Sequence, residues 1–251
     1  MPAALALLPH PDDEAYSFAG TLRLLSRAGW DCRVECASAG EKGKRHDGGP
    51  TDGASVALAR MAELAASCNV LGALPPRCWG LPDGGLAALP SQADRISALF
   101  AEIGPDAVLS LGADGAYGHP DHTALYRWTA EALSAGGAGG AGGPAWLTAA
   151  FPRGLFLPQY EKCIGMMGFP PDPPARDIGR EAFDLEVDIS GVREAKLAAI
   201  RAHRSQLPGG DAEALFPPGI VGALLDVERF TLVRGSADRL PAFVTRKSRT
   251  G

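Results

Sequence analysis

The stretch Ala3-Ala4-Leu5-Ala6-Leu7-Leu8-Pro9-His10-Pro11-Asp12-Asp13-Glu14 decides how the rest of the chain is read. Six consecutive apolar residues make a strand buried on both faces, the kind that parallel sheets contain. The run stops at a Pro-His-Pro-Asp segment. Beyond it, Ala15, Phe18, Ala19, Leu22 and Leu25 recur at helical spacing until Gly29. Strand, polar turn and helix form the opening of a βαβ unit. A second strand is expected over residues 32–37, followed by a polar, Gly-rich loop over 40–53 that is too long for a simple turn. Ala54, Leu58, Met61, Leu64 and Cys68 predict a second helix. Ser91 predicts the N-cap of a third, which Gly104-Pro105 ends. A strand over 107–111 then leads through residues 112–118 into His119-Pro120-Asp121-His122 and a helix reaching about residue 135.

Further strands are expected at 146–151 and 185–189, with a helix from Ser190 to about Ser205 and irregular chain over 152–182. Strands alternating with helices predict a Rossmann-like α/β fold, a mostly parallel sheet flanked by helices. The whole of residues 1–251 reads as one domain, with the Gly-rich tract 136–143 as an internal connector and 207–251 unassigned. No G-x-G-x-x-G follows Leu8, which removes the main support for dinucleotide binding.

Composition narrows the partners. Lys plus Arg number 24 against 29 Asp plus Glu, and a net charge of −5 argues against nucleic acid. The opening apolar run lacks a basic flank and a cleavage-type site, and no stretch approaches about 20 apolar residues, so neither a signal peptide nor a membrane partner is expected. Five cysteines without a C-x-x-C pair suggest reduced, buried thiols in a cytoplasmic protein. A homo-oligomer is left open.

His10-Pro11-Asp12-Asp13 and His119-Pro120-Asp121-His122 share one layout at two strand-to-helix junctions. Proline at a helix entrance fixes φ and gives up an N–H that has no partner there. In a doubly wound sheet, loops on either side of the strand-order reversal meet in one crevice. Three His and three Asp therefore converge, with the metal site at the C-terminal ends of the strands. Two His with a carboxylate suit Zn2+ with an open position for water, and the same set suits Fe2+.

These motifs resemble those of the LmbE-like, PIG-L-type N-acetylglucosaminyl de-N-acetylases, zinc hydrolases of Rossmann-like fold. Gly40-Glu41-Lys42-Gly43, Arg60-Met61-Ala62-Glu63, Leu81-Pro82-Asp83-Gly84 and Lys196 through His203-Arg204-Ser205-Gln206 extend the likeness over residues 3–206. The resemblance implies His10, Asp13 and His122 as metal ligands and Asp12 as general base. It implies His119 as general acid or oxyanion stabiliser with Asp121 orienting it, and Tyr117 as the group that polarises the amide carbonyl. Arg60, Asp83 and Glu41 would contact substrate. The implied substrate is a small glycoside of N-acetylglucosamine, and Ala19-Gly20-Thr21 after the first motif resembles thiol-biosynthesis members acting on N-acetylglucosaminyl malate. The inositol branch, antibiotic-sugar deacetylases and thiol-conjugate amidases share the core. A non-catalytic sugar-binding module is the rival of another class. Glu14 reads as a helix-dipole partner, His46 as exposed, His203 as a packing residue that the resemblance draws towards the site, and Trp79 and Trp128 as core or surface aromatics.

Overall fold

The computed structural model describes residues 1–135, 143–167 and 172–246. Strands β1 (Ala3–Leu8), β2 (Asp31–Ser38), β3 (Arg77–Leu81), β4 (Ala107–Ser110), β5 (Ala145–Ala149), β6 (Leu185–Asp188), β7 (Val227–Arg234) and β8 (Val244–Arg246) form one sheet, ordered β3-β2-β1-β4-β5-β7-β6-β8. The strands from β1 to β5 pair in parallel. β7 is inserted antiparallel between β5 and β6, and β8 pairs antiparallel with β6. The expected mostly parallel sheet is present, with an antiparallel end. The unassigned tail supplies β7 and β8, and most of the expected connector (136–142) lies outside the described residues.

Period-two alternation explains why β1 is apolar throughout. Ala4, Ala6 and Leu8 enter one core with Leu22, Leu25, Leu64 and Ile200. Leu5 and Leu7 enter another with Ile96, Leu125 and Trp128. The first face carries α1 (Asp13–Ser17), α2 (Ala19–Arg27), α3 (Gly53–Leu71) and α8 (Arg193–Ala202); the second carries α4 (Ala93–Ile103) and α6 (Pro120–Ala135). The single helix expected after Asp13 is broken at Phe18, whose φ of −139° and ψ of −1° are not helical. Gly20 then lets α2 lie against Ile189, the residue just past β6, since a Cβ there would sit 2.6 Å from Ile189 Cβ. Glu228 on β7 accepts the Gly20 and Thr21 amides at 2.9 and 2.8 Å, satisfying free N–H groups at the start of α2. The buried Lys196 amine closes this knot, 2.7 Å from Glu228 and 2.8 Å from the Tyr16 carbonyl.

Asp52 caps α3, its Oδ1 accepting the Ser55 amide at 3.0 Å. This helix is long and apolar enough to cross a membrane, yet it packs along α8 and α2 and carries Arg60 and Glu63 into the protein. Gln92 rather than Ser91 is the N-cap residue of α4, and Ser91 Oγ accepts the Ala93 amide at 3.2 Å. Two sequence expectations are corrected more substantially. Residues 152–182 contain α7 (Leu157–Met167), anchored by the buried Phe156 and Tyr160, and its weak periodicity follows from its lying over a cavity. β3 was missed because an edge strand with three half-buried and two exposed residues shows neither an apolar run nor alternation. The remaining short helices are α5 (Gly115–Gly118) and α9 (Ile220–Ala223).

The chain runs β1 to β2 to β3 on one side, then places β4 and β5 on the other. The carboxyl ends of β1 and β4 therefore open the crevice expected of a doubly wound sheet. His10 follows β1, and the loop leading to His119 follows β4.

Candidate active site

The turn after β1 presents three carboxylates in different directions. Asp12 has φ 109° and ψ −25°, a left-handed conformation that costs a non-glycine residue about 1–3 kcal/mol. The surroundings enforce it. Its amide donates to Glu14 Oε2 at 3.0 Å, Arg60 Nη2 donates to Asp12 Oδ2 at 2.9 Å, and the same nitrogen donates to the Pro11 carbonyl. Arg60 Nη1 reaches the Gly40 carbonyl at 3.0 Å, and the guanidinium fills the space where a Cβ on Gly40 would stand. Asp12 Oδ1 is left without a hydrogen bond among the described residues. Glu14, fully buried, also accepts His203 Nε2 and Ser67 Oγ at 2.6 Å each.

The segment after β4 is shaped by Asp114. Its Oδ1 accepts the Ala116 amide at 3.2 Å, and its Oδ2 accepts Gly179 N at 3.0 Å. Ala116 sits at φ 63°, so α5 is a distorted turn that brings Tyr117 and His119 over His122. The His119 and His122 rings stack at 4.5 Å, and the Tyr117 ring stands edge-on to both, at 6.0 and 5.4 Å. His119 Nδ1 accepts the Asp121 amide at 3.2 Å, which leaves the ring proton on Nε2.

The donor set fits a metal ion. His122 Nδ1 donates to the Gly115 carbonyl at 3.1 Å, so its lone pair is on Nε2, which is buried and has no hydrogen bond. That nitrogen is 3.6 Å from Asp13 Oδ1. His10 Nε2 lies between Asp83 Oδ1 at 3.1 Å and Asp121 Oδ2 at 3.2 Å, and its Nδ1 is 3.5 Å from Asp13 Oδ2. Two imidazole nitrogens and one carboxylate thus converge, each ring held from behind by an oxygen. One ring nitrogen of His119 also lies within 4.8 Å of one on each of His10 and His122. The rival grouping of His10 with Asp83 and Asp121 is already saturated. Asp121 accepts the Gly84 and Leu86 amides at 2.7 and 3.0 Å, and Asp83 accepts the Lys42 amide at 2.9 Å.

Electrostatics separate the roles. Burial pushes the Asp12 carboxyl up to about 6; Arg60 restrains the rise and Asp13 adds to it. Burial acts the same way on Asp13, but the charges on His122 and His10 outweigh it and hold that carboxyl well below the usual range. Burial opposes charge on His10, yet hydrogen bonds to Asp121, Asp13 and Asp83 raise it well above an ordinary imidazole. Burial, then the neighbouring His122 and His10, lower His119 to about 3. The Tyr117 phenol is held neutral by burial and by Asp13 and Asp12.

All of these residues except Asp121 line one cavity of about 650 Å³, together with Lys42, Arg60, Asp83, Phe156 and Phe216. The structure therefore brings together His10, Asp12, Asp13, Tyr117, His119 and His122 as expected. The other expected residues have protein partners of their own. Arg60 lines the cavity with its guanidinium bonded to Asp12 and to the Pro11 and Gly40 carbonyls. Asp83 is likewise engaged by His10 and the Lys42 amide. Glu41 braces the Asp83 amide at 2.8 Å and does not line the cavity. The Asp121 carboxylate orients His10, and only its backbone amide meets His119. His119 stacks on His122 in the cavity, and burial, followed by its imidazole neighbours, holds its ring neutral. His46 lines the cavity, whereas His203 is sealed against Glu14. Glu63, quoted above only within the Arg60-Met61-Ala62-Glu63 match, accepts Ser205 N and Oγ at 2.7 Å each, and Asp114 escaped the sequence reading, since a lone acid carries no spacing signal.

A family model described as PIG-L, GlcNAc-PI de-N-acetylase, matches residues 5–133, the half of the chain that holds both His-Pro-Asp segments. The chain belongs to the PIG-L family. A 1D-myo-inositol 2-acetamido-2-deoxy-alpha-D-glucopyranoside deacetylase of Saccharomonospora viridis is 29% identical, over 90% of this chain and 93% of that protein. Among solved structures, the N,N'-diacetylchitobiose deacetylase of Pyrococcus horikoshii is 22% identical, with a TM-score of 0.58 over 96% of this chain and 87% of that one. GalB, the 4-carboxy-2-hydroxymuconate hydratase of Pseudomonas putida KT2440, is also 22% identical, with a TM-score of 0.64 over 94% and 98%. The PIG-L scaffold is thus shared with a different chemistry, and the side chains of the site must carry the functional argument.

Proposed function

We propose that this protein is a metal-dependent amidohydrolase that removes the acetyl group from an N-acetylglucosamine unit of a small glycoside. The observation that carries the reading is the convergence of His10, Asp13 and His122 beside Asp12 in one cavity. His10 Nδ1, the Asp13 carboxylate and His122 Nε2 would hold Zn2+, or Fe2+. When bound, such an ion polarises the amide carbonyl and acidifies water near neutral pH.

The protein's own groups do the rest. Asp12 Oδ1 takes a proton from the attacking water as oxygen bonds to the carbonyl carbon, a role suited to a carboxyl near 6. His119 Nε2–H and the Tyr117 hydroxyl donate to the carbonyl oxygen as charge builds there. Asp12 then returns its proton to the departing nitrogen as the C–N bond breaks, giving acetate and a free amine. Arg60 and Glu14 keep Asp12 aimed throughout.

The family membership and the inositol glycoside named for the Saccharomonospora viridis relative support the reading. The malate-bearing substrate suggested by the first motif draws no support from them. The test is fluorescamine detection of free amine from a panel of N-acetylglucosamine glycosides, before and after chelation and reloading with Zn2+ or Fe2+. Amine released by the loaded protein and lost on chelation is the expected result. No amine from any glycoside at full metal content would overturn the reading.

A further inference from the structure

Helix α3 is mostly apolar, yet its buried face carries three polar side chains at helical spacing, Arg60, Glu63 and Ser67. Each serves the turn that bears Asp12, directly or through one neighbour. Arg60 Nη2 holds the Asp12 carboxylate and the Pro11 carbonyl. Ser67 Oγ donates to Glu14 Oε1 at 2.6 Å, and Glu63 secures Ser205, two residues past His203. His203 caps the C-terminal end of α8, is fully buried, and donates from Nε2 to the same Glu14 Oε1 at 2.6 Å. Glu14 Oε2 in turn accepts the Asp12 amide at 3.0 Å. Glu14, Ser67 and His203 do not line the cavity, so they act on a substrate only through other residues. Stability alone does not account for this pair. Buried ions can often be replaced by well-packed apolar residues without loss. His203 Nδ1 is moreover buried without a hydrogen bond among the described residues, which is itself a cost. What the pair supplies is geometry.

Resting on the deacetylase reading above, we propose that His203 is a positioning residue for Asp12, acting through Glu14 to fix the left-handed backbone from which Asp12 Oδ1 is aimed. Two clamps meet at this turn. Arg60 holds the carboxylate and the carbonyl before it, and Glu14 holds the amide. At φ 109° the Asp12 backbone is strained, so an amide released by Glu14 lets the turn relax and swings the carboxylate about its Cα. Glu14 reaches back only two residues, and its Oε2 stays on the amide while Oε1 is anchored. Ser67 and His203 are those anchors, both donating to a carboxylate in a fully buried setting, where such bonds are strong. The end of α8, almost 200 residues away in sequence, thereby sets the aim of the proton acceptor.

The test measures amine release by the metal-loaded full chain, on the N-acetylglucosaminide that the wild type turns over fastest. It is run at about pH 9, above the acid limb of Asp12, so that aim and not ionisation is read. His203→Leu should lower kcat about 10- to 100-fold, as a misplacement of about 1 Å does. KM should stay within about twofold, with unchanged metal content. His203→Gln, whose amide nitrogen can stand in for Nε2, should recover most of the loss. In an Asp12→Asn background His203→Leu should cost no more than about twofold, because the group it aims is gone. Should His203→Leu fail to fold, Ser67→Ala removes the other anchor and carries the same comparison with a smaller, severalfold loss. Wild-type kcat in the folded variant, or an equal loss in both backgrounds, would overturn the proposal. The Asp12 amide gives a readout that needs no turnover. Its hydrogen exchange, followed by nitrogen-15 NMR, should be at least about tenfold faster in His203→Leu and slow again in His203→Gln, while the Ala4 and Ala6 amides in β1 keep their rates. If no glycoside releases amine, the deacetylase reading fails and this exchange still decides: an unchanged rate at Asp12 refutes the positioning role.

Discussion

Replacing Arg60 by Met separates what the sequence suggests for this residue from what the structure shows. The guanidinium is 2.9 Å from Asp12 Oδ2 and both groups are largely buried, so it is the main influence opposing protonation of Asp12. A neighbouring opposite charge lowers a carboxyl by about 1–3 pH units. Without it, the acid limb of kcat/KM should move from near 6 up to about 7–9. The sign follows from the role of Asp12. A base acts when ionised, so activity is present above its pKa and is lost as pH falls through it. At pH 7 the ionised fraction then drops from about nine-tenths to between about one-half and one-hundredth, a loss of roughly 2- to 100-fold that returns at high pH. Arg60→Lys, which keeps the charge, should shift the limb less. The assay is amine release from pH 5 to 10 at saturating metal, with melting curves to confirm the fold. An acid limb that stays near 6 while KM for the glycoside rises would refute this reasoning and restore Arg60 as a sugar contact.

Two further perturbations test the scaffold. Burial opposes charge on both members of the Glu14–His203 pair, but their mutual attraction lowers Glu14 and raises His203. Glu14 therefore adds stability that is lost as pH falls below its ordinary 4.5, and His203 adds stability that is lost as pH rises past 6.5 through its raised value. The Tm gap between the wild type and His203→Gln should be widest between these limits, and a gap independent of pH would count against the ion pair. Lys196→Met leaves Glu228 buried without its cation and should cost about 3–5 kcal/mol by urea denaturation, much of it recovered by adding Glu228→Gln. A loss under 1 kcal/mol would show that the α2 amides alone satisfy Glu228.

The sheet was legible where burial on both faces left an unbroken apolar run. β1 matches its expected limits, and β2 extends its predicted strand by a residue at each end. The two motifs were legible because a Pro-fixed helix entrance repeats at both junctions. Other features had no such signature. α7 turns part of its surface towards a cavity, so its apolar residues do not form a stripe. β7 and β8 lie at the antiparallel end, where half-buried strands between Pro and Gly read as loop. The partners of Arg60, Asp83 and Glu41 come from segments far apart in sequence, so spacing identifies them as polar residues near a site without saying what they touch. The strain at Asp12 is likewise a tertiary product of Glu14 and Arg60.

The most direct measurement compares the wild type with Asp12→Asn for amine release from an N-acetylglucosaminide, with metal content determined on the same samples. Asp12 is not among the ligands proposed for the ion, so both proteins should hold equal metal. The variant should lose roughly 10²–10⁴-fold in kcat, the share of a positioned general base. Undiminished turnover at equal metal content would contradict the assignment of Asp12 as the group that moves the proton.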